Sequence, residues 1–94
     1  MTSSSSTNLR LGFTAEGWED FEWWLDQDRR VLKKLRGLIK ECLRTPTEGS
    51  GQPERLRHQE GEIWSRRITM EHRLVYEVID DVLIVHQARY HYSR

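Results

Sequence analysis

One cysteine, two prolines and no net charge are the scarcities of this 94-residue chain. The lone Cys42 excludes an intramolecular disulfide, and no apolar stretch follows Met1–Ser6 as a secretory signal requires. At 36% hydrophobic residues and a mean hydropathy of -0.79, no run approaches the roughly 18 apolar residues of a membrane span. The length suits one core rather than two. A soluble, cytoplasmic single domain is expected. Fifteen Lys plus Arg balance fifteen Asp plus Glu, and the lack of a basic excess argues at first against a nucleic-acid partner.

What is present reads as an α+β layout. Residues 1–8 hold nothing to bury against an ordering cost of roughly 1–2 kcal/mol per residue, so a disordered tail is expected there and the domain over 9–94. Leu9, Leu11 and Phe13 alternate with Arg10 and Gly12 as one short strand. Thr14 then suits a helix N-cap, and the helix is expected over Ala15 to about Gln27. Its 100° step places Trp18, Phe21 and Leu25 in one sector, as a core stripe, with Trp24 at the edge. Trp23 points away, either as an ordinary exposed aromatic or as part of a subunit interface.

A second helix from about Asp28 carries the apolar stripe Val31, Leu32, Leu35, Leu38, Ile39, Cys42 and Leu43, in which Cys42 is a small core residue. Arg29, Arg30, Lys33, Lys34, Arg36 and Lys40 take its other faces, as a solvated surface or one that lies against polyphosphate. Pro46 ends it by driving Thr45 out of the α region. After a loop bounded by the two prolines, strands are expected at Glu54–Arg57, Ile63–Ile68, Arg73–Ile79 and Val82–Tyr92. The order is strand, helix, helix, then a mostly antiparallel meander packed on the helices.

The last hairpin decides which side chains share a face. A two-residue Asp80-Asp81 loop mixes polar and apolar residues on both faces. An odd loop or a bulge instead gathers Leu74, Tyr76, Val78, Val82, Ile84, Ala88 and Tyr90 under the helices. That arrangement leaves Arg73, Glu77, Gln87, Arg89 and His91 opposite, with Val75, Ile79, Leu83 and Val85, and it is the one expected.

Other chemistries find little support. Neither His86 with His91 nor His58 with His72 is spaced to share a helix face, and one cysteine completes no structural zinc site. The loop Glu48–Pro53 lacks the Gly-Lys-Ser/Thr ending of a phosphate loop, and no serine sits in a nucleophile elbow. No metal or other cofactor is expected.

The segments Trp18-Glu-Asp, Arg44-Thr-Pro-Thr-Glu-Gly, Gly51-Gln-Pro-Glu-Arg-Leu, Trp64-Ser-Arg-Arg-Ile-Thr, Glu71-His-Arg-Leu-Val-Tyr and Arg89-Tyr-His-Tyr, in this order, resemble the YoeB toxins of the RelE superfamily. The match runs from about Leu9 to Tyr92. It implies a RelE-like fold and a bacterial type II toxin, a ribosome-dependent endoribonuclease that cuts messenger RNA in the A site of the 70S ribosome. The implied partners are a YefM-like antitoxin, operator DNA bound jointly with that antitoxin, and a second copy in a homodimer. The family's catalytic glutamate, arginine and histidine fall on Glu54, Arg73 and His91. Its RNA-binding positions fall on Arg57, Arg67 and Tyr92. Two features depart from the family pattern: Arg57 stands where lysine also occurs, keeping the charge but changing the donor geometry, and Ser93-Arg94 follow the His-Tyr ending.

These residue types suit the chemistry. RNA brings its own nucleophile, the 2'-hydroxyl, so a base, an acid and a charge stabiliser suffice, as Glu54, His91 and Arg73 respectively. Two other readings remain, a ParE-like toxin that binds gyrase without catalysis and a chain that serves mainly as a corepressor with its antitoxin. The zero net charge also proves to be a sum of blocks. Thr14 to Asp28 hold six acids and no base, whereas Arg29 to Arg44 hold seven Lys plus Arg and one acid.

Overall fold

The computed structural model describes residues 8–56 and 62–90. All but the last residue of the expected 1–8 tail therefore lies outside the described residues. The elements run β1 (Arg10–Phe13), α1 (Ala15–Gln27), α2 (Arg29–Arg44), β2 (Glu54–Arg55), β3 (Glu62–Arg67), β4 (Arg73–Ile79) and β5 (Val82–Gln87). One five-stranded sheet has the order β1-β5-β4-β3-β2. Its pairs are antiparallel except β1 with β5, which are parallel. The two helices intervene between these parallel strands and lie on one sheet face, as a crossover requires.

Both helices begin on side-chain caps. The Thr14 hydroxyl accepts from Gly17 N–H, and the Asp28 carboxylate accepts from the N–H groups of Arg30 and Val31. Thr45 closes α2 outside the α region, at φ −136° and ψ 83°. The α2 stripe behaves as its spacing predicts: Leu32, Leu35, Leu38, Ile39 and Cys42 are buried, with Val31 and Leu43 packed against them.

α1 differs from its periodicity. Trp24 is buried, whereas Trp18 and Leu25 are each 45% exposed. The cause is Gly17, whose missing side chain lets the helix backbone close on the Val85 carbonyl. That contact sets the rotation of α1, so Gly17, Asp20, Phe21 and Trp24 turn toward the sheet. A hydrophobicity pattern gives no weight to the glycine and counts the aspartate as solvent-facing.

The hairpin also differs. Asp80-Asp81 is a two-residue loop pairing Ile79 with Val82, and Asp80 takes φ 54°, a left-handed conformation that aspartate tolerates. The register shifts further along, where Tyr76 faces Val85 but Val75 faces Gln87, leaving His86 as the bulged residue. The helix face therefore carries Leu83 and Val85 with Leu74, Tyr76, Val78 and Ala88, and the expected Val82 and Ile84 stand opposite. The bulge, placed late in β5, reconciles the tight turn with an apolar floor. β5 stops at Gln87 rather than Tyr92, and β2 is described only over Glu54–Arg55.

Candidate functional site

The site begins with a loop that carries no regular structure and is nevertheless fastened. Arg66, on the helix face of β3, is fully buried and spends its guanidinium on five acceptors. Nε reaches the Tyr76 hydroxyl at 3.1 Å, and Nη1 reaches Glu41 Oε1 at 2.8 Å and the Ser50 carbonyl at 3.1 Å. Nη2 donates to the carbonyls of Thr45 and Glu48 at 2.6 and 2.7 Å. Glu41 also accepts from Ser50 N–H at 2.8 Å. That backbone donor, with Arg66 nearby, holds the Glu41 carboxyl below its ordinary range. Tyr76, its phenol pushed up by burial, donates to the Pro46 carbonyl. Arg67 N–H then donates to Gly51 O at 2.7 Å. Gly51 sits at φ 82°, and a Cβ there would meet β3 backbone at 3.0 Å. The loop is thereby laid along β3 and delivers Glu54 to the sheet edge. Sequence reasoning missed Arg66. Its signal was a charged residue at the core phase of an alternating strand, between Trp64 and Ile68.

The ladder registers then set the open face. Glu54 pairs with Ser65, Ser65 with Val75 and Val75 with Gln87, a rung running across four strands. Arg67 stands directly opposite Arg73 on the neighbouring rung. Side chains two residues apart share a face, so Glu54, Arg67 and Arg73 stand on the side of the sheet away from the helices. Glu54 and Arg67 are exposed and Arg73 is half-buried. Arg73 Nη1 donates to the carbonyls of Thr69 and His72, at 3.2 and 3.4 Å, in the turn before its own strand. On the same face His86 Nε2 meets Glu77 Oε1 at 2.7 Å. Ile63, Val75, His86 and Gln87 form, with Thr14–Glu16, a cleft of about 450 Å³.

The chain beyond β5 is tied down by α1. Ala88 N–H donates to Asp20 Oδ2 at 2.9 Å, and Ala88 O accepts from Trp24 Nε1 at 2.8 Å. Arg89 was expected on the open face. It turns instead toward α1, with its guanidinium carbon 4.2 Å from the Trp23 ring centroid and Nε 3.8 Å from Asp20 Oδ1. The bulge restores the expected alternation at Ala88, and it is the bend of the chain beyond β5 that carries Arg89 off the open face. Trp23 is thus occupied on one face by a cation. Tyr90, expected on the core face, is exposed. Its carbonyl accepts from Arg73 N–H at 3.0 Å. Of the six expected site residues, Arg57, His91 and Tyr92 lie outside the described residues, and Glu54, Arg67 and Arg73 are brought onto one face.

Residues 13–92 match the family model of the YoeB-like toxin of bacterial type II toxin-antitoxin system. The chain is 50% identical over 84 residues to "Toxin YoeB" of Escherichia coli K12, covering 89% of this chain and 100% of that protein. Among solved structures, the "YoeB/ParE toxin from Agrobacterium tumefaciens" is 42% identical with a TM-score of 0.83, covering 89% of this chain and 100% of that one. The Staphylococcus aureus YoeB in a heterotetrameric YoeB-YefM complex is 37% identical with a TM-score of 0.79, covering 89% and 98%. An archaeal RelE in its complex with RelB, from Pyrococcus horikoshii, is 10% identical with a TM-score of 0.71 over 88% and 94%, a likeness of fold alone.

Proposed function

The chain belongs to the YoeB-like toxins of bacterial type II toxin-antitoxin systems, and from that membership we propose that it is a ribosome-dependent endoribonuclease cutting messenger RNA in the A site. The observation that carries this reading is the meeting of Glu54, Arg67 and Arg73 on the sheet face that no helix covers.

Glu54 takes the proton of the 2'-hydroxyl as its oxygen attacks the adjacent phosphorus. Arg73 and Arg67, joined by Arg57 as the family's further basic position, offer permanently charged donors to the dianionic pentacoordinate phosphorus. His91 gives a proton to the departing 5'-oxygen as the P–O5' bond breaks. The products are a 2',3'-cyclic phosphate and a free 5'-hydroxyl. The scheme consumes no cofactor and calls for no metal. Tyr92 supplies a ring for stacking or a hydroxyl for the phosphate.

Each proton transfer contributes roughly 10² to 10⁴ and one electrostatic donor about 10² to 10³. Much of the acceleration is left to holding the RNA in line for attack, and the ribosomal A site supplies it. A chain with no net charge binds free RNA weakly and gains its substrate through that setting. A YefM-like antitoxin silences the enzyme by lying across or distorting the open face, its acidic segment neutralising Arg67 and Arg73, and the pair binds operator DNA together. The S. aureus relative is solved in complex with YefM. Among the described residues no helix is long and apolar enough to cross a membrane, and the site of action is the cytoplasm.

Primer extension on messages isolated after induction tests the reading. Cuts at codons, appearing before any change in plasmid supercoiling, are expected with the native chain and lost with Glu54→Ala and His91→Ala. Unchanged cutting by both variants removes the assignment, and early loss of supercoiling without cuts favours gyrase.

A further inference from the structure

The open face of the sheet divides into two chemically different ends. At one end Arg67 and Arg73 stand as partners in the ladder. One rung on, Val75 and Gln87 begin the cleft of about 450 Å³ that Ile63, His86 and the start of α1 complete. That size falls within the roughly 300–1,000 Å³ of small-ligand sites. Its floor is aliphatic, from Ile63 and a buried Val75, and among the described residues no Lys or Arg lines it. A phosphate therefore meets cations at the first end and a carboxylate, Glu16, at the second.

The polar side-chain atoms that the cleft leaves available are acceptors. Gln87 Nε2 is spent on the Arg89 carbonyl at 2.9 Å, which leaves Oε1 to accept. The Thr14 hydroxyl is spent on the Val85 and His86 carbonyls, at 3.3 Å each. His86 Nε2 lies 2.7 Å from Glu77 Oε1. An ionised carboxylate only accepts, so Nε2 carries the proton and the neutral ring keeps Nδ1 as an acceptor. Among the described residues neither Nδ1 nor Gln87 Oε1 has a partner. His86 is the bulged residue of β5, and a bulge beside a site re-aims a side chain. An apolar floor beside a set of acceptors suits a flat ring whose edge carries N–H donors. Adenine, cytosine and guanine bear such an exocyclic amino group, and uracil does not. The spacing also fits, because Val75 lies two residues from Arg73 along β4, about 7 Å, which is the reach from a phosphate to a neighbouring base.

We propose that this cleft receives a nucleobase flanking the scissile phosphate and selects one with an exocyclic amino group, through His86 and Gln87. The inference rests on the open face being the RNA-cleaving site. Arg67 and Arg73 take the phosphate, the base lies over Ile63 and Val75, and its amino group donates to the acceptors at the β5 side. Glu77 is a positioning residue, fixing the tautomer of His86 and hence the acceptor that the base meets.

The test is cleavage of messages on programmed ribosomes, with either adenine or unsubstituted purine, which lacks the amino group, on each side of the cut. At one of the two positions the native chain is expected to cut the adenine message about five- to tenfold faster in kcat/KM, the factor of about one hydrogen bond. His86→Leu brings that ratio to within about twofold of one, by slowing the adenine message and leaving the purine message unchanged. Glu77→Leu also loses the preference, whereas Glu77→Gln keeps it, because its amide oxygen still accepts from Nε2. Damage to the fold slows both messages together, so the ratio isolates the reading of the base. A native chain without preference at either position, or a preference unchanged in His86→Leu, overturns the proposal while cutting itself persists. A native chain that cuts no message overturns the nuclease reading as well, and the native arm distinguishes the two failures.

Discussion

Arg67 and Arg73 face one another as direct partners in the β3–β4 ladder, two cations at the closest cross-strand position. Like charges directly opposite oppose folding, by a magnitude comparable to the 0.2–1 kcal/mol (roughly) of a favourable pair. The sheet keeps this unfavourable contact on the face that also carries Glu54. Arg67→Thr, a residue suited to a strand, is expected to raise the urea midpoint slightly while lowering ribosome-dependent cleavage about tenfold or more. A variant that loses stability and keeps full activity contradicts the functional reading of the pair.

The proposed division of proton work between Glu54 and His91 has its own signature. Glu54 is exposed on the edge strand, so Glu54→Ala leaves the fold intact and lowers kcat by roughly 10² to 10⁴. A message with sulfur in place of the 5'-bridging oxygen has a leaving group that needs no proton. It is expected to restore cutting by His91→Ala and not by Glu54→Ala. Equal rescue of both variants, or of neither, assigns the acid elsewhere.

The Arg66 cluster predicts an acid sensitivity. Glu41 is held below its ordinary carboxylate range by the Ser50 N–H and by Arg66, so its ionised form favours the folded state. That contribution is complete above the ordinary carboxylate range and is lost as pH falls through the depressed folded value. Glu41→Gln is expected to be less stable at neutral pH and to lose less on acidification, read as urea midpoints across pH. Arg66→Met leaves five acceptors without their donor and costs about 3–5 kcal/mol, as breaking a buried pair does.

Two glycines in helices give opposite expectations for one substitution. At Gly37 a Cβ meets nothing within 4 Å, so Gly37→Ala stabilises by about 1 kcal/mol through helix propensity. At Gly17 the same Cβ runs into the Val85 carbonyl, and α1 must move off β5. Gly17→Ala is expected to destabilise by about 1–3 kcal/mol despite the propensity gain. Thermal unfolding of the two variants reads both signs.

Burial pushes the Cys42 thiol up to about 11. The native protein is expected to resist alkylation by iodoacetamide at pH 8, with labelling following global unfolding. The sign for stability follows from the neutral form being preferred in the fold. Stability falls as pH rises above the ordinary thiol value of 9.0 toward about 11. Rapid labelling of the folded chain contradicts this placement.

Local chemistry determined much of this molecule. The cap at Thr14, the start of α2 near Asp28, the stop at Pro46, the α2 stripe and the β4 bounds are short-range effects of side chains on nearby backbone, and all were legible in order. The candidate site was legible only through its resemblance to a family, because alternation alone reads Glu54, Arg67 and Arg73 as ordinary surface. Three things were left to the tertiary structure. The rotation of α1 was decided by a glycine touching a carbonyl about seventy residues away. The faces of the last hairpin were decided by the two-residue turn, which put Leu83 and Val85 under the helices, and by a bulge at His86, which returned Ala88 to that side. The burial of Arg66 depended on five acceptors gathered from α2, the following loop and β4. Each is a long-range contact in which a small or polar residue does what periodicity reserves for apolar ones, and only the assembled chain brings those partners within reach.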